Sequence, residues 1–241
     1  MRVAAEPLQD RHCMTVIVYT LIPVVAVLIG AIAAVWRKPG PSFISGIQHL
    51  AAGVVFAAAA VEILPQIMHT GSVAATFVGG ACGVAVMLSL KSLETRWRGP
   101  VGMLSAVGID ILIDGLVLGL AFIAGAKAGL LMTVALTLEV LFLGLTVTEA
   151  LGETIRSRVK IVAISGAIAL LLTLGALLAT PIQLLSPPAV AGFLTFGLMA
   201  LLYLVTEELL VEAHEKPDSP LISAMFFVGF LGLLLLEEAI G

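Results

Sequence analysis

The stretch Val101-Gly-Met-Leu-Ser-Ala-Val-Gly-Ile-Asp110-Ile-Leu-Ile-Asp114-Gly-Leu-Val-Leu-Gly-Leu-Ala-Phe-Ile-Ala124 decides how the chain must be read. It exceeds the roughly 20 apolar residues that a helix needs to cross a hydrocarbon core. Only two of its side chains, Asp110 and Asp114, can carry charge. A helix of this length on a soluble protein would present a broad polar face. This one presents two acids four residues apart, one helical turn from each other on a single face.

Seven further segments have the same character, and with Val101–Ala124 they give predicted spans at 14–36, 43–68, 73–93, 101–124, 130–152, 159–178, 189–211 and 221–240. Turn chemistry separates them: Arg37-Lys38-Pro39-Gly40-Pro41, Arg98-Gly99-Pro100, Ser186-Pro187-Pro188 and Lys216-Pro217-Asp218-Ser219-Pro220. Composition agrees. Sixty per cent of residues are apolar and only 12% charged, with a mean hydropathy of +1.16. A soluble domain carries about 25% charged residues to cover its surface. The expected fold is an all-α polytopic bundle of eight transmembrane helices, since a barrel would show short alternating segments. The brief connections leave no room for a separate soluble domain, so residues 1–241 read as one transmembrane domain.

Nine of the twelve basic residues fall in the connections after segments one, three, five and seven, and only Arg2, Arg11 and Lys127 fall on the other side. That asymmetry predicts both termini outside the cytoplasm. Met14 to Trp36 is too long for the apolar core of a cleaved signal and lacks its small-residue site. A net charge of −4 without a basic run gives no reason to expect nucleic acid. Cys13 and Cys82 lie in separate segments without partners at metal-site spacing and read as apolar filler. No nucleophile elbow, phosphate loop or His-Glu-x-x-His is present, so an enzyme and a resident cofactor are not expected.

Ionisable groups carry the functional signal, because one at the middle of a spanning helix costs at least about 2.5–3.5 kcal/mol on insertion scales. Asp110 and Asp114 lie mid-segment, and Glu139 lies in the middle of the next. No Lys or Arg falls at comparable depth in the sequence, which leaves a bound cation or a shared proton to offset the repulsion. Glu149 and Glu153 continue the fifth segment and would line an exit path. Glu62, Glu207 and Glu208 sit nearer helix ends, where they can snorkel or serve as a gate or relay. Glu237 and Glu238 read as solvated, and His12, His49, His69 and His214 fall at or beyond the membrane boundaries. Glu62-Ile-Leu-Pro-Gln-Ile-Met-His69 and Glu207-Glu-Leu-Leu-Val-Glu-Ala-His214 share Glu, six residues, His, on segments that run in opposite directions. An inverted repeat of segments one to three and six to eight around four and five is therefore predicted.

Three segments then resemble the ZIP (Zrt/Irt-like protein) metal-ion transporters. They are Gly46-Ile-Gln-His-Leu-Ala-Ala-Gly-Val-Val-Phe through Glu62-Ile-Leu-Pro65, Asp110-Ile-Leu-Ile-Asp114-Gly115, and Phe196 through Glu215. The resemblance implies a divalent metal cation as transported substrate, moved toward the cytoplasm, with the lipid bilayer as surroundings and a homodimer left open. A bacterial inner membrane is the expected location. Carried over by position, Asp110 replaces the family's metal-binding His of the fourth helix, and Asp114 is its acid. Glu139 falls at the His of the fifth. The second-metal Asn is Ile111, the neighbouring acids of the fifth helix are Val140 and Leu143, and both family prolines are replaced, by Ile113 and Phe142. An all-carboxylate set of Asp110, Asp114 and Glu139 suits harder ions such as manganese or magnesium, while zinc is the family precedent. Two other readings stay open. The same acids would serve a proton-linked carrier, and the lost ligands would suit a non-transporting membrane scaffold.

Overall fold

Backbone amides in hydrocarbon meet no water, so each long apolar segment has to close its own hydrogen bonds as helix. The computed structural model describes residues 6–37, 39–70, 72–96, 100–215 and 219–241, and among these there is no strand. Among the described residues eight helices are long and apolar enough to span a membrane: α1 Met14–Trp36, α2 Pro41–His69, α3 Val73–Leu93, α4 Leu104–Ala124, α5 Ala126–Gly152, α6 Arg158–Leu184, α7 Pro187–His214 and α8 Pro220–Ile240. The chain is an all-α polytopic membrane protein.

Several prolines that mark connections in the sequence turn out to start helices. Pro41, Pro187 and Pro220 occupy first-turn positions, where a missing N–H costs nothing and φ is already helical. Ser219 caps α8, its hydroxyl accepting from the Ile222 N–H at 3.3 Å. α6 runs past its expected end at Leu178 through a tightened turn, Thr180–Leu184. Pro181 within that turn has no N–H for a regular helical bond.

α2 and α7 each contain one widened turn, Ala59–Ile63 in α2 and Leu204–Leu209 in α7. In α2 the cause is Pro65, whose ring would collide with the carbonyl one turn back. In α7 the Thr206 hydroxyl donates to the Leu202 carbonyl at 2.8 Å and to the Tyr203 carbonyl at 3.3 Å, partnering groups the wide turn leaves exposed. Both widened turns contain a glutamate of the predicted repeat, Glu62 in one and Glu207 in the other.

Packing extends the repeat to the whole bundle. The principal helix pairs are α1 with α5, α4 with α6, α2 with α8, and α3 with α7. Exchanging α1–α3 with α6–α8 and α4 with α5 turns the first pair into the second and the third into the fourth. Register is kept as well. A Cβ on Gly30 would strike the backbone of Leu141, and one on Gly144 the backbone of Val27. At the equivalent crossing, a Cβ on Gly175 would strike Leu112 and one on Gly115 would strike Leu172. One constant shift in residue number carries Val27, Gly30, Glu62 and His69 onto Leu172, Gly175, Glu207 and His214. A second carries Asp110, Leu112 and Gly115 onto Glu139, Leu141 and Gly144. Small residues let these backbones touch, which is what holds membrane helices together where lipid offers no hydrophobic drive.

The core runs between α1, α2 and α4–α7, where Leu118, Leu131, Leu136, Leu172 and Leu201 are fully buried. α3 and α8 lie outermost and turn Phe77, Leu88, Phe227 and Leu235 outward. These large apolar side chains are exposed to a solvent that must be lipid.

Candidate cation site between α4, α5 and α7

A polar group buried without a partner costs about 1–3 kcal/mol, and more if charged. The middle of this bundle holds several. Asp114 is 1% exposed and Glu139 is 4% exposed. Neither carboxylate oxygen of Asp114 has a hydrogen-bond partner, and neither does Oε2 of Glu139. Asp114 lies within electrostatic reach of Glu139 and Glu208, and Glu139 within reach of Asp110 and Glu208.

Asp110 and Glu139 line one small cavity together with Glu208 and Glu212 of α7, closed by Phe142, Leu143, Leu204 and Leu209. A neighbouring cavity of about 100 Å³ shares Asp110, Glu208 and Glu212 and extends past Met87, Leu90 and Lys91 of α3. It reaches the end of the bundle that carries the α1–α2, α3–α4, α5–α6 and α7–α8 connections, here termed the loop end. Asp114, one turn further from that end on α4, lies at the back of the cluster. The symmetry makes Asp110 and Glu139 equivalent, so the cavity approaches the pseudo-twofold axis from one side only.

The structure revises several expectations. Glu208, read from the sequence as a snorkelling, gate or relay residue nearer the helix end, lies beside Asp110, Asp114 and Glu139 in the central cluster. Its widened turn explains the difference, because the extra residue per turn shifts which side chain of α7 faces α4 and α5. Glu207 is exposed instead. Lys91, at the loop end of α3, reaches the wall of the loop-end cavity that Asp110 also lines. Glu149 lines a different cleft, with Arg156, Arg158 and Trp36 between α1, α5 and α6, and so does not continue the carboxylate path. The side chain of Glu153 lies outside the described residues, as does that of His12. Among the described residues no three His, Cys, Asp or Glu side chains approach closely enough to share one metal ion.

His49, read from the sequence as lying at the membrane boundary, is buried inside the bundle, 1% exposed. It belongs to a polar clasp between the start of α2 and the end of α7. The Ser45 hydroxyl donates to the Ala213 carbonyl at 2.9 Å, and the Gln48 amide donates to Glu212 Oε2 at 2.8 Å. His49 Nδ1 donates to the Ser45 carbonyl at 2.9 Å, and its ring meets His214 edge to face at 5.0 Å. Gln48 and His49, adjacent polar residues inside an apolar run, were the signal for this clasp. It fixes the orientation of Glu212, which forms the wall of both cavities.

At the opposite end, Glu62 is 8% exposed on the widened turn of α2. Glu237, expected to be solvated, forms an ion pair with Lys127 at 2.6 Å. No protein-family model matches this chain, and no curated protein matches it.

Proposed function

We propose that the protein carries a divalent cation across the membrane, with Asp110, Asp114, Glu139 and Glu208 as its mid-membrane donors. One observation carries the reading: three carboxylate oxygens of Asp114 and Glu139 are buried with no hydrogen-bond partner, inside a cluster of four acids. Two unit charges about 4 Å apart repel by about 4 kcal/mol at an effective dielectric of 20. A protein tolerates that arrangement when a cation completes it, and oxygen-only donors suit manganese or magnesium better than zinc. Glu208 and Glu212 then lead the ion from the centre to the loop-end cavity, which the distribution of basic residues assigns to the cytoplasm. The resemblance to ZIP transporters supports the same substrate class and direction. Around a midplane site, an inverted repeat supplies two equivalent half-structures that can open in turn.

A second reading has its own support. No three described donors approach to metal-binding separation in this conformation, and protons alone would neutralise Asp114 and Glu139. The two readings part in one experiment. Purified protein in detergent is titrated with Mn²⁺ by calorimetry, beside the Asp114→Asn and Glu208→Gln variants. Saturable Mn²⁺ binding lost in both variants supports the cation carrier. Absence of binding by folded wild type supports the proton carrier instead.

A further inference from the structure

At the loop end, away from the carboxylate cluster, a cleft of about 520 Å³ opens between the end of α1, the end of α5 and the start of α6. Arg156 and Arg158, both exposed, line it with the half-buried Glu149, so its described side chains leave one net positive charge. Thr148 in the same wall is 3% exposed, and its hydroxyl has no hydrogen-bond partner among the described residues. Thr133, Thr137 and Thr146 of the same helix each donate to a carbonyl of α5. A buried hydroxyl without such a bond loses free energy unless a ligand or water meets it.

An apolar groove of about 400 Å³ adjoins the cleft, running between α1 and α6 along Leu28, Ile32, Val162 and Gly166. Val35, Trp36 and Arg158 line both recesses. Arginine lays its stem along apolar surface and keeps its head in polar surroundings, and tryptophan favours the boundary between hydrocarbon and headgroups. The repeat does not produce this cleft. The shifts that relate its halves carry Ala34 onto Ala179, Gly119 onto Thr148 and Leu120 onto Glu149. At the opposite end a Cβ on Gly119 would strike Ala179 and the Ala176 carbonyl, and Leu120 is fully buried. α4 and α6 touch there, where the loop end has an open, charged recess.

We propose that this recess binds one phospholipid with a singly anionic, hydroxyl-bearing headgroup of the phosphatidylglycerol type, its phosphate on Arg156 and Arg158 and one acyl chain in the α1–α6 groove. Planar guanidinium groups match phosphate oxygens in pairs, and one net negative charge answers the one net positive charge of the cleft. Headgroup hydroxyls donate to Glu149 and bond the Thr148 hydroxyl. A zwitterionic headgroup leaves a positive charge unmatched, and a free phosphate leaves the apolar groove unused. The basic-residue distribution assigns this end to the cytoplasmic leaflet, where anionic lipids attract basic segments. Bound there, the lipid joins α1 of one repeat to α6 of the other. The inference stands apart from the cation-carrier reading, because no acid of the central cluster lines either recess.

Native mass spectrometry of the purified protein in detergent, titrated with dioleoyl phosphatidylglycerol, phosphatidylethanolamine or phosphatidylcholine, counts the lipid bound. Wild type is expected to take up one phosphatidylglycerol with an affinity roughly 30-fold above that for phosphatidylcholine, about fivefold for each arginine. Arg156→Gln/Arg158→Gln loses that preference. Ala163→Phe, which fills the groove and leaves the charges, weakens phosphatidylglycerol binding as well. Each variant is first checked for monodisperse elution. Equal binding of the three lipids by wild type would overturn the proposal, as would a preference that survives the double arginine variant or an affinity unchanged in Ala163→Phe. Displacement of the lipid by excess inorganic phosphate would also overturn it, since the recess would then be a site for a small anion.

Discussion

Replacing Asp114 by leucine should stabilise the protein while disabling it. Asp114 is 1% exposed, and both its oxygens lack partners, so an unsatisfied buried polar group costing about 1–3 kcal/mol disappears with the carboxyl. Leucine is larger than aspartate, and overpacking opposes the gain by about 1 kcal/mol. The net expectation is up to about 2 kcal/mol in favour of Asp114→Leu in metal-free buffer. For a chain of this size that raises the midpoint of thermal unfolding by up to about 8 °C. The assay is tryptophan fluorescence on heating in detergent at neutral pH, with and without Mn²⁺. A cation at a hundred times its dissociation constant stabilises wild type by about 2.7 kcal/mol, whereas Asp114→Leu has no site to fill. The order of stabilities should therefore reverse when Mn²⁺ is added. A metal-free Asp114→Leu protein less stable than wild type would refute the reasoning, because the carboxyl would then be a structural group with partners.

Two further predictions concern packing. Gly115→Ala places a Cβ against the Leu172 backbone and should lower stability by about 1–3 kcal/mol. Gly46→Ala meets nothing within 4 Å and should gain up to about 1 kcal/mol from helix propensity. Equal midpoints for the two in the same thermal assay would contradict the close α4–α6 crossing. Gln48→Leu removes the donor to Glu212 and should cost about 1–3 kcal/mol as a charge-assisted bond. Gln48→Glu sets a like charge beside Glu212 and should cost more, an order checked by the same unfolding curves.

The fold was largely legible in the sequence because the membrane imposes one strong rule. A run such as Val101–Ala124 has to be helix, and its ends have to be punctuated by proline, glycine or charge. The shared pattern of Glu, six residues and His in Glu62–His69 and Glu207–His214 also pointed to the repeat, which the register of Gly30, Gly144, Gly115 and Gly175 extends to the whole bundle. The site was legible only in part. Asp110, Asp114 and Glu139 stood out by depth alone, since depth along a helix can be read from position. Facing cannot be read so easily where a turn widens. Glu207 and Glu208 are neighbours in sequence, yet only Glu208 lines the cavity, and the turn that decides this depends on the Thr206 hydroxyl. The clasp of Ser45, Gln48 and His49 with α7, and the pairing of Lys127 with Glu237, join residues far apart in sequence. No local pattern announces such pairs.

Flux through reconstituted vesicles tests the central claim most directly. Wild type, Asp110→Asn/Asp114→Asn and Glu139→Gln proteins are placed in liposomes containing a metal-sensing dye and, in parallel, a pH-sensing dye. An imposed Mn²⁺ gradient should drive saturable Mn²⁺ entry through wild type and none above empty vesicles through either variant. Proton flux that proceeds without Mn²⁺ and ignores chelator, with no metal entry in wild type, would contradict the cation carrier.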